Sequence, residues 1–341
     1  MFIKKLNIYR LGGILFLVGI LAGCTEKSKT PLSLIKAKQE LYAQLNATVS
    51  GKIADRVATM PEKYIRALQK YDLSIGASGA ENYKQYNPTD ADKNLVAEYI
   101  ALLPDGYQKI LQKKLLRIYF IENFSGGGMT DWVVDNNGNV LYYLVFNSSV
   151  LNRQINDWLT FKSNSIFEED ARQKIKINID GGYQALLYVL LHEGSHIVDY
   201  ELAITPYMDQ GNKEYLARTG EETEYTKNIW ASQNDPKQQY KIAEEKNLNF
   251  YRSFSSVPYV NGSKIIGYYL KLKESPFVTI YSTKAWYEDF ADLATYYHIS
   301  EKLGSTITVE VEEDSKRILI FNPMKSKLVK LRLGIMEQFY K

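Results

Sequence analysis

Residues 188–200 read YVLLHEGSHIVDY and contain the pattern His192-Glu193-Gly194-Ser195-His196, called HExxH below. On an α-helix, residues four positions apart lie on one face, with Cβ atoms about 5–6 Å apart. Two imidazoles at this spacing can bind one metal ion, and the carboxylate of Glu193 then lies beside a bound water molecule. Residues 185–191 are all apolar, which predicts a buried helix.

A histidine on an apolar helix is more often a packed core residue than a metal ligand. This chain, however, contains three histidines in total, and two of them have the ligand spacing with the acid in the required place. Polar groups buried at the end of an apolar helix also need partners, because burying them unpaired is costly. The pattern therefore predicts a metal site.

The N-terminus begins with basic residues at 4, 5 and 10, followed by an apolar run at 11–20 and the sequence Leu-Ala-Gly-Cys at 21–24. The run is too short to span a bilayer, which predicts a cleaved export signal at residues 1–23; an uncleaved anchor is the alternative. The Leu-Ala-Gly-Cys ending resembles the bacterial lipobox, in which the cysteine is lipidated. We therefore expect a lipid anchor at Cys24, in the bacterial cell envelope, facing the periplasm or the exterior. Cys24 is the only cysteine, which excludes an intramolecular disulfide.

Without residues 1–23, the chain has 318 residues and balanced charge, with 39 basic and 39 acidic side chains. Nucleic-acid binders carry a basic excess on one face, so nothing here indicates a nucleic-acid partner. The remaining length suffices for a sizeable core in one or two domains.

Several segments have clear local patterns. Residues 116–121 predict a strand, and the runs 130–134 and 139–146 predict a hairpin because Asn137-Gly138 stands between them. The C-terminus predicts a second hairpin from 307–311 and 317–321. A final helix is then expected, capped by Asn322 with Pro323 at its first position. Asp180 is expected to cap the HExxH helix, with Gly181 and Gly182 in its first turn.

A catalytic zinc site usually has three protein ligands and an open position. One class of zinc peptidase takes the third ligand from a histidine six residues after HExxH, but Leu202 occupies that position. His298 is far downstream and is compatible with a ligand, a catalytic group or a core residue.

A second candidate segment is residues 286–299, WYEDFADLATYYHI, whose apolar spacing predicts an amphipathic helix. Glu288 and Asp292 share one face of it. Glu288 can serve as a ligand while Asp292 accepts a hydrogen bond from the distal nitrogen of a ligating histidine. A solvated acidic face is the ordinary alternative.

An HExxH helix followed by a helix with ExxxD resembles the gluzincins, the thermolysin-like branch of zinc peptidases. Residues 281–292, YSTKAWYEDFAD, are similar to the glutamate helix of the anthrax lethal factor catalytic domain and its relatives. The resemblance implies that His192, His196 and Glu288 bind one Zn²⁺ and that Glu193 is the general base. It also implies that Tyr281, seven residues before Glu288, stabilises the oxyanion or donates a proton.

The sequence departs from the family in two ways. The gap from His196 to Glu288 is long, which leaves acids in the intervening stretch as alternative third ligands, and Asp292 stands where lethal factor has a glutamate. The alternative ligands are Glu221, Glu222 and Glu244. Asp199, one turn after His196, is a further candidate for supporting a ligand.

The resemblance implies an α+β fold: a zincin-like catalytic domain at 116–341 with a small mixed sheet and two site helices. Residues 201–280 would be an insertion between those helices, residues 32–115 a helical N-terminal region, and residues 24–31 a tether. The implied activity is that of a metalloendopeptidase, with a zinc-activated water and Glu193 as general base acting on peptide or protein substrates. The alternative is a non-catalytic zinc-binding lipoprotein that acts in binding or adhesion.

Overall fold

The computed structural model describes residues 31–169, 172–216, 218, 222–245 and 247–340. The predicted export signal and Cys24 lie outside this part of the chain. The described residues form a mixed α+β structure, in agreement with the predicted class. Within them, no helix has both the length and the apolar character that crossing a membrane requires.

The larger sheet has the strand order β1-β3-β5-β4, with the short β2 paired to β3. Its strands are β1 (Val57–Thr59), β2 (Lys84–Gln85), β3 (Leu115–Glu122), β4 (Gly128–Val134) and β5 (Val140–Asn147). β3 and β5 are parallel, whereas β4 and β5 form the predicted antiparallel hairpin, with Gly138 at φ +83° in its turn. The strand predicted at residues 116–121 and the first predicted hairpin are therefore confirmed, although β1 and β2 precede that strand in the chain, and β4 ends this strand order.

A smaller antiparallel sheet is formed by β6 (Gln173–Ile179), β9 (Ile307–Glu313) and β10 (Lys316–Phe321). It contains the predicted C-terminal hairpin, whereas β6 was not anticipated. A two-stranded ribbon of β7 (Trp230–Ser232) and β8 (Asp235–Pro236) lies within the polar stretch between the site helices.

Ten α-helices lie within the described residues, and α6 carries the HExxH pattern. They are α1 (Pro31–Leu45), α2 (Glu62–Ser74), α3 (Asp90–Ala101), α4 (Asp105–Lys114), α5 (Ile155–Asn164), α6 (Ala185–Leu202), α7 (Gln210–Tyr215), α8 (Ile265–Lys273), α9 (Trp286–Tyr297) and α10 (Lys327–Lys330). α6 is buried from Ala185 to Tyr200, as its apolar sequence predicts, because it packs against β4, α4, α5 and α9. The amphipathic helix predicted from residue 286 is α9.

Two predictions about helix ends are wrong. Asp180 does not cap α6: Gly181 and Gly182 have φ of +108° and +69°, so they form a left-handed turn before the helix, which begins after Gln184. At the C-terminus, Asn322 does accept a hydrogen bond from the Met324 amide, but the helix does not continue. The extended backbone of Ser326, with ψ 135°, breaks it into short pieces.

The predicted helical N-terminal region, residues 32–115, also supplies strands. β1 pairs in parallel with β3, and β2 pairs with the other end of β3. α1 packs on β4, where Lys38 lies 2.6 Å from the carboxylate of Asp131. This region and the residues after 115 therefore share one sheet.

The Lys38–Asp131 pair gives a stability prediction. Both side chains are about 2% exposed, and Tyr143 also donates to the same carboxylate. Lys38→Ala would leave a buried charge without its cation, so we expect a loss of about 3–5 kcal/mol in the free energy of unfolding. Denaturant titration measures this loss. Lys93→Ala, which breaks an exposed pair with Asp90, is the control and should cost at most about 0.5 kcal/mol; equal losses would contradict the prediction.

Candidate metal centre

The two site helices, α6 and α9, pack against each other and bring their polar residues into the core. His192, Glu193 and His196 each present one possible ligand atom, and these atoms lie within 4.8 Å of one another. All three side chains are buried. This group can hold a metal ion.

Glu288, the predicted third ligand, comes from α9 and is fully buried. Its Oε2 lies 3.0 Å from Nε2 of His192 and 3.6 Å from Nε2 of His196. A four-coordinate ion with bonds of about 2.1 Å holds neighbouring donor atoms about 3.4 Å apart. The three side chains are thus close to the spacing that a shared ion requires, although Glu288 is 92 positions after His196 in the sequence.

Asp292 lies one turn after Glu288 and faces the other side of the same imidazole. Its Oδ1 is 2.9 Å from Nδ1 of His192 and also accepts a hydrogen bond from Tyr188, while its Oδ2 accepts one from Thr279. Hydrogen bonding at Nδ1 fixes the ring orientation and leaves Nε2 facing Glu288.

His196 has no corresponding support. Its Nδ1 is buried and finds no hydrogen-bond partner among the described residues. Asp199, the candidate partner from the sequence, instead accepts hydrogen bonds from the amide and hydroxyl of Thr205, at 2.7 and 2.6 Å. It therefore secures the chain just after α6 and does not accept a hydrogen bond from His196.

Tyr281 lies in the turn that precedes α9, and its hydroxyl donates to Oε1 of Glu288 at 3.1 Å. Burial and then the neighbouring charge of Glu288 hold the pKa of the Tyr281 hydroxyl well above its usual range. The group therefore keeps its proton at neutral pH and remains a hydrogen-bond donor.

Lys162 is a site residue that the sequence analysis missed. Its ammonium is buried 3.7 Å from the centre of the Tyr281 ring and donates to the Tyr188 hydroxyl at 2.8 Å. Burial lowers its pKa, while Asp292, Glu288 and Glu193 oppose that shift. A sequence signal was present: with Ile155, Trp158 and Leu159, Lys162 completes an apolar helical spacing, where a lysine is unusual.

The buried charges favour a cation. Lys162 faces three carboxylates, those of Glu193, Glu288 and Asp292, so with neutral histidines the cluster has an excess of two negative charges. Buried charge without compensation is costly, and a divalent cation between Glu288 and the histidines would balance it. Without one, burial lowers the pKa of His192, but hydrogen bonds to Asp292 and Glu288 raise it to about 9. The donor set and the charge therefore both fit a divalent metal ion.

A cavity reaches this group, and four of the residues 249–254, called the cover segment below, line its wall. Phe250 packs edge-on against Tyr281 with ring centres 4.8 Å apart, and Tyr251 packs against Trp158 at 5.7 Å. Phe250, Tyr251 and Tyr281 line the cavity together with His192 and Glu193. His192 and Glu193 are only 5% exposed, so their side chains are almost closed off from solvent.

The alternative site residues lie elsewhere. His298 hydrogen-bonds to the Tyr340 hydroxyl and the Leu102 carbonyl, each at 2.6 Å, as a core residue would. Glu222 and Glu244 are exposed and lie near lysines. Glu221 lies outside the described residues.

Glu193 is held by the larger sheet. Thr130, in β4, donates to Oε2 of Glu193 at 2.8 Å and also contacts its backbone carbonyl. The carboxylate is thereby fixed beside the two histidines, next to the strand that ends the sheet order.

Comparison with known proteins finds no relative: the chain matches no protein-family profile, no curated protein and no solved structure.

Proposed function

We propose that the chain is a zinc-dependent metallopeptidase of the gluzincin type, in which His192, His196 and Glu288 hold one zinc ion. The observation that carries this proposal is the position of Glu288, within 3.0 and 3.6 Å of the two Nε2 atoms. Two imidazoles and one carboxylate are a donor set of catalytic zinc sites, which keep a fourth position open. The excess of two negative charges supports a divalent ion.

When bound, zinc would act as a Lewis acid that polarises a substrate carbonyl and makes a water molecule a better nucleophile at neutral pH. Glu193 accepts the proton of the attacking water and passes it to the leaving nitrogen. Thr130 orients this carboxylate for both transfers. Burial raises the pKa of Glu193, which makes its carboxylate a stronger base than an exposed one.

Tyr281 is the proposed donor to the developing oxyanion. Its hydroxyl lies 3.1 Å from Glu288, which supports a position beside the carbonyl of a bound substrate when Glu288 is a ligand. A donor in this role contributes about 3 kcal/mol to transition-state stabilisation in comparable sites. Asp292 positions His192 and does not touch the substrate.

The substrate would lie extended along the start of β4. Gly126, Gly127 and Gly128 line the cavity, and a Cβ on Gly128 would lie 2.7 Å from the Phe146 ring, so only glycine fits there. Bare backbone next to Glu193 suits main-chain hydrogen bonds to a peptide. With the predicted lipid on Cys24, we infer that the enzyme acts on peptides or proteins at the cell envelope.

The test combines metal content with peptide hydrolysis. The full-length chain is expected to contain one zinc per molecule by elemental analysis and to cleave members of a diverse peptide library, as detected by mass spectrometry. If the chain binds zinc but cleaves no peptide, the alternative of a non-catalytic zinc-binding protein would replace the peptidase proposal. No metal after zinc has been offered would overturn the proposal.

A further inference from the structure

The cavity at the metal centre continues to a second end that the proposed chemistry does not use. This end is formed where the C-terminus of α2 meets the cover segment: Ser78 donates its amide proton to the Ser253 carbonyl, and Ala77 pairs with Phe254. The residues of this end that line the cavity are Asp72, Ile75, Ala77, Ser125, Ser253 and Phe254.

Asp72 is the charged group of this second end. Asp72 is 2% exposed, and one of its carboxylate oxygens accepts a hydrogen bond from the Tyr83 hydroxyl at 2.5 Å. Tyr83 in turn is fixed by the amide of Ser125. Burial raises the pKa of Asp72 to about 6, and within the described chain only Tyr83 opposes that shift.

Two of the other buried aspartates in this fold have a cation of their own, whereas Asp199 and Asp209 accept hydrogen bonds from neutral donors. Asp131 pairs with Lys38, and Asp289 pairs with Arg332. Among the residues that the structure describes, Asp72 forms no salt bridge, although it is buried as deeply and lines a cavity. A buried carboxylate with one neutral donor is the kind of group that an incoming cation stabilises.

The two ends of the cavity differ in their cations: among the described residues that line it, lysines stand only at the metal end, beside the carboxylates of the metal centre. Lys162 and Lys284 both lie against the Tyr281 ring, at 3.7 and 5.3 Å from its centre, so the cationic groups gather at the metal end. Asp72 stands at the other end, and the wall there is apolar, from Ile75, Ala77 and Phe254. An apolar wall with an acid beyond it matches a side chain that has an aliphatic stem and a cationic head.

We propose that the Asp72 end of the cavity binds the ammonium or guanidinium group of a lysine or arginine side chain of the substrate, close to the cleaved bond. This specificity rests on the proposed peptidase function. The same cationic chemistry is available from a peptide's free amino terminus, and the test separates the two sources.

The experiment uses the full-length, zinc-loaded chain and peptides that are acetylated and amidated, with lysine, arginine, norleucine or glutamate at the positions flanking the cleaved bond. Norleucine matches the lysine stem without its charge. In the wild type, kcat/KM should be at least about thirtyfold higher for lysine or arginine than for norleucine at one position. Asp72→Asn, which keeps an acceptor for Tyr83, should remove this ratio and leave norleucine cleavage unchanged. Asp180→Asn, an exposed aspartate outside the cavity, is the matched control and should keep the ratio.

A wild type without preference for basic residues, or an Asp72→Asn variant that keeps it, would overturn the proposal. A preference that appears only with unacetylated peptides would assign the subsite to the amino terminus and also overturn it. If no peptide is cleaved, the proposed peptidase function fails. Binding of the same peptides, measured by fluorescence polarisation, then tests whether the Asp72 end binds a cationic side chain. Tighter binding of the lysine peptide that is lost in Asp72→Asn supports it; equal binding of the lysine and norleucine peptides overturns it.

Discussion

Glu193→Gln should leave the zinc content at one ion per chain and lower kcat for peptide hydrolysis by about 10²–10⁴-fold, the usual contribution of a general base. The amide keeps the size of the side chain and can still accept the hydrogen bond from Thr130, but it cannot take a proton from water. Elemental analysis and steady-state kinetics on the same preparation measure both effects.

The control for this variant is Glu201→Gln. Glu201 lies on the same helix but is bound by Tyr142 and Lys114, away from the histidines. It should retain both zinc and activity. Loss of zinc in Glu193→Gln would make Glu193 a ligand, and unchanged hydrolysis would remove it from the mechanism.

Glu288→Ala should lose most of its zinc, and with it all hydrolysis, because only two imidazoles would remain to hold the ion. Thermal unfolding of the zinc-free proteins should establish that the variant folds. Asp292→Asn should have a smaller effect, lowering zinc affinity by about 10–100-fold, since Asp292 only orients His192. A competition assay with a chelating dye measures these affinities.

The controls for Glu288→Ala test the alternative ligands. Glu222→Ala and Glu244→Ala remove exposed acids and should keep one zinc per chain. If either loses zinc while Glu288→Ala keeps it, the third ligand lies between the site helices and the gluzincin assignment is wrong.

The sequence predicts the elements of this fold where a strong local rule applies. Asn137-Gly138 predicts a hairpin turn, and the unbroken apolar run before His192 predicts a buried helix; both are confirmed. Asp180 shows where such rules fail. An aspartate followed by two glycines is compatible with a cap or with a left-handed turn, and the φ values that decide between them are set by the strand before and the helix after.

The candidate site was predictable to the extent that it follows helical spacing. His192 with His196, and Glu288 with Asp292, are i, i+4 pairs, so each helix predicts its own half of the site. The two halves meet because α6 packs on α9, and no local sequence pattern predicts this packing. Lys162 and Asp72 are single charged residues outside any motif; the helical spacing around Lys162 indicates its burial, but only the tertiary fold shows that both residues line the same cavity.

The cover segment contains strained backbone. Tyr251 and Arg252 are consecutive non-glycine residues at φ +60° and +56°, a conformation that costs about 1–3 kcal/mol for each residue. The ring contacts of Phe250 and Tyr251 hold the segment down against this preference. A ligand that displaced those rings would let the two residues relax, and the released strain would offset part of the contact energy that is lost. Opening of the segment would therefore require less free energy than the aromatic contacts alone would demand, which would ease the access of a ligand to the buried side chains.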